Sequence, residues 1–257
     1  MSSSSPGPGV APTAFLQLAG HPLRWRLMGE LARSDRVVHE LTRLLGEPQN
    51  LVSYHLAKLR GAGLVFARRS AADRRDTYYG LDLARFGALL SATGGALHAG
   101  LRLVRPPRDA PPPPSVRMLF LCTGNSARSQ MAEALVRARC GGAIEVHSAG
   151  SDPRPLHPNA VRAMREAFDL DLGAQVSKPL SVFEGQRFDW VISLCDRVRE
   201  VCPDVPGCPN VVHWSLANPA TGQADALTYP LFLETAAELD GRIAFLLAAI
   251  ADRGAVP

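Results

Sequence analysis

The stretch LFLCTGNSARSQ, Leu119 to Gln130, decides the fold of the second half of the chain. An apolar run delivers one cysteine, Cys122, into a loop of Thr, Gly, Asn and Ser. An arginine, Arg128, returns six residues after the thiol. The run VRMLFLCT that contains the cysteine has the pattern of a buried parallel strand, and ARSQMAEALVRARC, after the loop, reads as a helix. Strand, polar loop and helix N-terminus in that order form a place where backbone N–H groups gather around an anion.

Outward from that loop the alternation continues. IEVHSAG is a second strand ending in glycine, and HPNAVRAMREAF is a helix opened by a proline. FDWVISLC and NVVHWSL are a third and a fourth strand. ALTYPLFLETAAELDGRIAFLLAAIADR is a closing helical region with an interruption expected near Pro230. Strands alternating with helices predict an α/β fold with a mainly parallel sheet, with its site at the carboxyl ends of the strands. Cys122, Cys195 and the WSL before Asn218 all fall there.

The chemistry of Cys122 follows from the spacing. Thr123, Gly124, Asn125, Ser126 and Ala127 can curl their N–H groups around a tetrahedral oxyanion, and Arg128 presents a planar fork suited to bidentate contact. The same groups favour a thiolate, which facing a bound arsenate or phosphate is a competent nucleophile. Asn125 is expected to fix the loop and Ser129 to hydrogen-bond the thiolate. LCDRVREVCPDVPGC supplies further thiols, Cys195, Cys202 and Cys208, in an irregular segment marked by Pro203, Pro206 and Gly207. They fit a redox relay, two structural cysteines or a zinc site. Cys140 ends the first helix and reads as a bystander.

Residues 117–252 resemble the low-molecular-weight tyrosine phosphatase fold, and more closely its thioredoxin-coupled arsenate reductase branch. CTGNSARSQMAEAL, HSAG followed by HPNAVRAM, and VSKPL carry the likeness, as does the seven-residue step from Cys195 to Cys202. The resemblance implies that Cys122 attacks arsenate, that Cys195 attacks the arsenylated thiol and expels arsenite, and that Cys202 attacks Cys195. The resulting disulfide is reduced by thioredoxin or a similar thiol, and no cofactor stays bound. Cys208 reads as a spare resolving thiol, and Cys195, Cys202 and Cys208 are the candidate arsenite ligands. One departure stands in WSLANPATG. The family carries an aspartate before this proline as general acid, and here it is Asn218, which cannot donate a proton as a carboxylic acid does. Asp225 lies near in sequence as a substitute.

The first half has a different pattern. FLQLAGHPLRWRLMGELA reads as two helices turning at His21 and Pro22, with Leu23, Trp25, Leu27, Met28 and Leu31 as the apolar face. SDRVVHELTRLLG is a helix capped by Ser34 and stopped by Gly46. After the turn GEPQN, Leu51, Val52, His55, Leu56 and Leu59 recur at helical spacing, a helix-turn-helix arrangement. Leu64–Arg69 and Thr77–Leu81 read as the two strands of a wing, and LARFGALLSATGGALHAGLRLV as a last helix. Gln49, Asn50, Ser53, Tyr54, His55 and Lys58 are the residues to read bases in a major groove, with Arg68, Arg69, Arg74 and Arg75 on the wing against phosphates. Tyr78 and Tyr79 read as strand packing.

Residues 14–98 resemble the arsenic-sensing family of winged-helix repressors, through HPLRWRLMGEL and NLVSYHLAKLRGAGLV. The resemblance implies a homodimer held by the first and last helices and released from its double-stranded DNA operator by a thiophilic ion. Many relatives sense that ion through a cysteine pair before the recognition helix. Here that segment, RVVHELTRLL, has none, and residues 1–121 hold no cysteine.

Bulk properties agree with this division. Residues 1–115 carry fifteen Arg and Lys against eight Asp and Glu, a balance of +7; residues 116–257 carry thirteen against sixteen, a balance of −3. Only the first half suits a polyanion. RPPRDAPPPPS, residues 105–115, is an extended spacer, and residues 1–12 a disordered lead-in. The expected domains are a mainly α winged helix at 13–104 and the α/β domain, with a phosphatase-type loop, at 116–253. Five cysteines clustered in the second half are no disulfide framework, and no apolar run is long enough to cross a membrane, so a cytoplasmic protein is expected. The favoured reading is an arsenic-responsive repressor fused to an arsenate reductase. A non-catalytic oxyanion or arsenite sensor and a protein-tyrosine phosphatase fused to a regulator are the alternatives.

Overall fold

A computed structural model describes residues 11–101, 116–201, 207–221 and 225–254. The lead-in to residue 10, the proline-rich spacer and Cys202 lie outside the described residues. Two compact units flank the spacer, with Ser70–Arg75 grouping with the second.

The first unit is a three-stranded sheet among helices. Helices α1 (Pro12–Ala19), α2 (Pro22–Arg33), α3 (Val38–Leu45) and α4 (Gln49–Gly61) precede the hairpin of β2 (Val65–Arg69) and β3 (Thr77–Leu81), and α5 (Leu83–Leu97) follows. A short β1 (Arg36–Val37) pairs with β3, giving the antiparallel order β1-β3-β2. Pro22 opens α2, with the His21 ring accepting from Leu23 N–H at 3.2 Å. Gly46, at φ 68°, ends α3 in the left-handed region, and α4 starts three residues later. Phe15, Leu27, Leu31, Leu41, Val52, Leu56, Leu59 and Leu64 form the core.

Several expectations fail here. Ser34 does not cap α3: it ends α2, and Arg36–Val37 pair with β3 before α3 begins, because the sheet takes the backbone groups a longer helix would use. Trp25 is 60 % exposed and Leu51 37 % exposed, so neither belongs to the core. Both sit at the margins of their helices' apolar faces, where spacing alone does not separate inside from outside.

The second unit is a four-stranded, wholly parallel sheet of order β5-β4-β6-β7, made by β4 (Val116–Cys122), β5 (Ile144–Gly150), β6 (Trp190–Ser193) and β7 (Asn210–His213). Helices α6 (Arg128–Cys140), α7 (Pro158–Phe168) and α9 (Asp225–Gly254) pack on one another, and the short α8 (Asp196–Val201) follows β6. Met118 to Cys122 are all buried, as both faces of a parallel strand require. Pro230 does not interrupt α9, which runs continuously through it. Its sixth position costs one hydrogen bond near a helix end. The strand order reverses between β4 and β6, and at such a switch point a crevice opens at the strands' carboxyl ends. Cys122 ends β4, and Cys195 stands two residues beyond β6.

Candidate functional site

The loop after Cys122 is held from outside by its carbonyls. Those of Thr123, Gly124 and Ser126 accept from the backbone N–H groups of Asp152, Arg154 and His157, each at 2.9 Å. The Asn125 carbonyl accepts from Ser177 Oγ at 2.8 Å. In a trans peptide the N–H points opposite to the preceding C=O. Tying four consecutive carbonyls outward therefore turns the N–H groups of Gly124, Asn125, Ser126 and Ala127 toward the loop's centre, an anion-binding concavity. Asn125 takes φ 43°, a conformation asparagine tolerates better than most residues. A Cβ at Gly150 would lie 2.5 Å from Thr123 O and 2.8 Å from Asn125 N, so the end of β5 must be glycine for the loop to close.

Asn125 is the hub. Its Nδ2 donates to Ser129 Oγ at 2.9 Å and Ser148 Oγ at 2.8 Å, and its Oδ1 accepts from Lys178 N at 2.7 Å and Gln130 Nε2 at 3.1 Å. With Ser129 Oγ accepting from Asn125, its own proton is free to face Cys122 Sγ, 3.0 Å away, where it stabilises a thiolate. Ser148 passes the chain to the buried Glu133 carboxylate at 2.5 Å, which Arg137 meets at 2.6 Å and Lys178 at 3.6 Å. Spacing pointed to Asn125 and Ser129. It missed Ser148, Ser177, Gly150 and Glu133, although HSAG and VSKPL were the visible signals for the first three.

Arg128 is buried and anchored. Its Nη1 donates to Leu216 O at 2.9 Å and Leu194 O at 3.3 Å, the carbonyls just past β7 and β6. Both bonds use one nitrogen, which leaves the Nε–Nη2 edge as the fork for an oxyanion. Cys195 is buried, with Sγ 3.3 Å from Thr123 Oγ1, so a second thiol touches the residue next to Cys122.

The other thiols differ. Cys208 is half-buried and its Sγ donates to Asn210 O at 3.4 Å; burial pushes this thiol up. Burial does the same to Cys140, twelve residues along α6 and about 18 Å from its start. Among the described residues no three His, Cys, Asp or Glu side chains form a metal-binding group. Asn218 is exposed, and its Nδ2 donates to Ala220 O at 2.7 Å. The Asp225 side chain lies outside the described residues.

In the first unit Gln49, Asn50, Ser53, Tyr54 and Lys58 share the exposed face of α4, and Lys58 Nζ stands 5.4 Å from the Tyr54 ring centre. His55 does not join them. It is buried beside Val52, Leu56 and Leu59, with its ring 4.4 Å from that of His21. Helical spacing had placed it on both faces, and packing resolves it as core. Arg69, Arg74 and Arg75 are exposed and Arg68 partly so, and Arg75 pairs with Asp73 at 3.0 Å. Tyr78 is buried in β3.

Comparison with known proteins agrees with both halves. Residues 117–253 match the family model "Low molecular weight phosphotyrosine protein phosphatase", and residues 21–66 match "Bacterial regulatory protein, arsR family". An arsenate reductase of Brevibacillus brevis is 40 % identical over 124 residues, which cover 48 % of this chain and 88 % of that protein. One from Halalkalibacterium halodurans is 38 % identical over 125 residues, covering 48 % and 89 %. A solved structure, "An arsenate reductase in the phosphate binding state", is 30 % identical and covers 52 % of this chain and 98 % of its own, with a TM-score of 0.44.

Proposed function

The chain belongs to the low molecular weight phosphotyrosine protein phosphatase family through residues 117–253, and from that premise we propose that it is an arsenate reductase fused to a DNA-binding repressor. The observation that carries the enzymatic half is the Thr123–Cys195 contact: a second buried thiol stands at the loop that cradles the oxyanion. A phosphatase needs one nucleophilic thiol there; a reductase needs two.

Cys122 attacks arsenate held by the loop N–H groups and the Arg128 fork, and water leaves. Cys195 attacks Cys122 Sγ, the S–S bond forms, and the electron pair of the S–As bond stays on arsenic, which departs as arsenite. Cys202 then attacks Cys195 and frees Cys122 as a thiolate. Thioredoxin or a similar dithiol reduces the Cys195–Cys202 bond, each exchange being ordinary thiol–disulfide chemistry. Asn218 supplies no proton, which harms an aryl-phosphate leaving group more than a hydroxyl on arsenic leaving as water. Cys208, bonded to Asn210 O and pushed up by burial, is a poorer resolving thiol than its position in sequence implied.

Residues 13–104 are the repressor module and 116–253 the reductase. The exposed face of α4 reads an operator, and the wing arginines meet phosphates. A homodimer through the first and last helices is supported by Leu16 on α1 and by Leu90 and Leu97 on α5, all exposed, and by Thr93 being the single buried residue of α5. With no cysteine in residues 1–121, a response to arsenite must draw on thiols of the reductase module. The protein works in the cytoplasm; among the described residues no helix is long and apolar enough to cross a membrane.

The test is arsenate turnover by the full chain with a thioredoxin system. Arsenite release is expected, is abolished by Cys122→Ser, and stops after one equivalent in Cys202→Ser. Phosphate binding without turnover overturns the enzyme and leaves the sensor. Aryl-phosphate hydrolysis that survives Cys195→Ser makes it a phosphatase.

A further inference from the structure

Three consecutive residues past the end of β6 reach three different parts of the site. Leu194 O takes Arg128 Nη1, Cys195 Sγ meets Thr123 Oγ1, and Asp196 Oδ1 meets His213 Nε2 at 3.1 Å. His213 ends β7 directly opposite Ser193, the last residue of β6, and Ser193 Oγ lies 2.8 Å from His213 Nδ1. Asp196 and His213 are each 2 % exposed. Burial on its own pushes the Asp196 carboxyl up, but hydrogen bonds from His213, from Ala71 N–H at 2.6 Å and from Ser215 together hold it below the usual carboxylate range. An ionised carboxylate only accepts, so His213 carries its proton on Nε2 and faces Ser193 with Nδ1.

None of the Asp196, His213 and Ser193 side chains takes part in the thiol steps above. A buried carboxylate hydrogen-bonded to an imidazole is a costly way to fill space that apolar side chains would fill at least as well. What it gives is a fixed geometry, and the residue it fixes is the neighbour of Cys195.

We propose that Asp196 and His213 are positioning residues for the second thiol, pinning the turn that carries Cys195 so that it stays buried against Thr123 until Cys122 has been arsenylated. This rests on the reading of the chain as a thiol-relay reductase. The relay makes two opposed demands on Cys195. Its sulfur must first be held within reach of Cys122, and later leave to pair with Cys202. A turn tied on one side by Leu194 N–H to Leu121 O at 2.7 Å, and on the other by Asp196 to His213, meets the first demand with the backbone fixed. Breaking the His213 tie is what the second demand requires. Loss of the tie loosens Cys195 and leaves the cradle standing, because Arg128 keeps its closer anchor at Leu216 O, 2.9 Å.

The experiment reads alkylation of the reduced full chain by iodoacetamide, cysteine by cysteine, by peptide mass spectrometry, and so does not depend on turnover. His213→Phe keeps a ring and removes both bonds; His213→Gln keeps a donor toward Asp196. In His213→Phe, Cys195 labelling rises about tenfold or more as local opening becomes easier. Cys122 labelling, and its protection by inorganic phosphate, stay within about twofold. His213→Gln stays near wild type. Under arsenate with thioredoxin, His213→Phe lowers kcat with little change in KM. Unchanged Cys195 labelling in His213→Phe overturns the proposal. So does an equal rise at Cys122 and the buried Cys140, which marks general loosening. If His213→Phe does not fold, Ser193→Ala cuts the other end of the chain and must raise Cys195 labelling selectively, though by less. Wild-type protein that binds phosphate yet releases no arsenite defeats the enzymatic reading alone, since the labelling pattern still decides the positioning role.

Discussion

The loop at 123–128 and the exposed face of α4, proposed to hold an oxyanion and to read DNA, are built in opposite ways. In the loop every carbonyl from Thr123 to Ser126 is tied to a named donor, and one asparagine makes four side-chain hydrogen bonds. On α4 the candidate residues project from a regular helix into solvent, with Lys58 near Tyr54 as the visible cross-contact. A tetrahedral oxyanion has one shape, so its cradle can be assembled completely beforehand. DNA is a long polyanion whose phosphates supply much of the affinity, so its reader needs an exposed face and a helix of the right width. The first surface is expected to fail as a unit when its hub is removed, and the second to degrade contact by contact.

The harshest test of that contrast is Asn125→Ala. It removes both hydroxyl partners and both donors at once, strands Ser129, and releases the left-handed turn. Phosphate affinity falls by about a hundredfold and stability by about 2–4 kcal/mol. Isothermal titration with phosphate and thermal unfolding of the full chain check both. If affinity falls by less than about threefold, the cradle is not cooperative and the contrast collapses.

A milder change belongs to α4. Lys58→Ala weakens DNA binding by a similar factor on every sequence and lowers the salt slope by about one. Asn50→Ala costs about 1–3 kcal/mol on the operator and little on random duplex. Fluorescence titrations at several salt concentrations separate the two. A cooperative collapse of binding in Lys58→Ala would mean that this surface, too, is interlocked.

The same contrast explains how much could be read from the sequence. The Cys122-x5-Arg128 spacing fixes loop length, and loop length with a strand before and a helix after leaves one arrangement for an anion. The strands, their mainly parallel direction and the placing of Cys122 and Cys195 at strand ends were therefore legible, and the strand order was not. The outer supports were not, because Ser148, Ser177 and Lys178 come from segments that only tertiary folding brings to Asn125. Helical periodicity gave α2 and α4 but blurred their margins: Trp25 on α2 and Leu51 on α4 came out exposed, and His55 on α4 buried. Those residues sit at the boundary of an apolar stripe, where packing between α2 and α4 rather than spacing decides. The Asp196–His213 pair carried no readable signal, since its residues are seventeen apart and join only across β6 and β7.

The gentlest test concerns His55, which is buried on α4 behind the reading face. Burial, and then the nearby charges of His21 and Arg24, hold its imidazole below the ordinary value of 6.5, while Glu47 acts the other way. The unfolded chain therefore binds the proton more readily than the folded one. The stability this contributes is fully present above pH 6.5 and is lost as pH falls through that value toward the lower folded one. Thermal unfolding of the full chain between pH 8 and pH 5, compared with His55→Gln, should show the wild type losing stability below pH 6.5 more steeply than the variant. In the same window phosphate binding to the cradle should respond identically in both proteins. Parallel stability curves for the two proteins would mean that His55 is as accessible to protons as the residues on the other side of its helix.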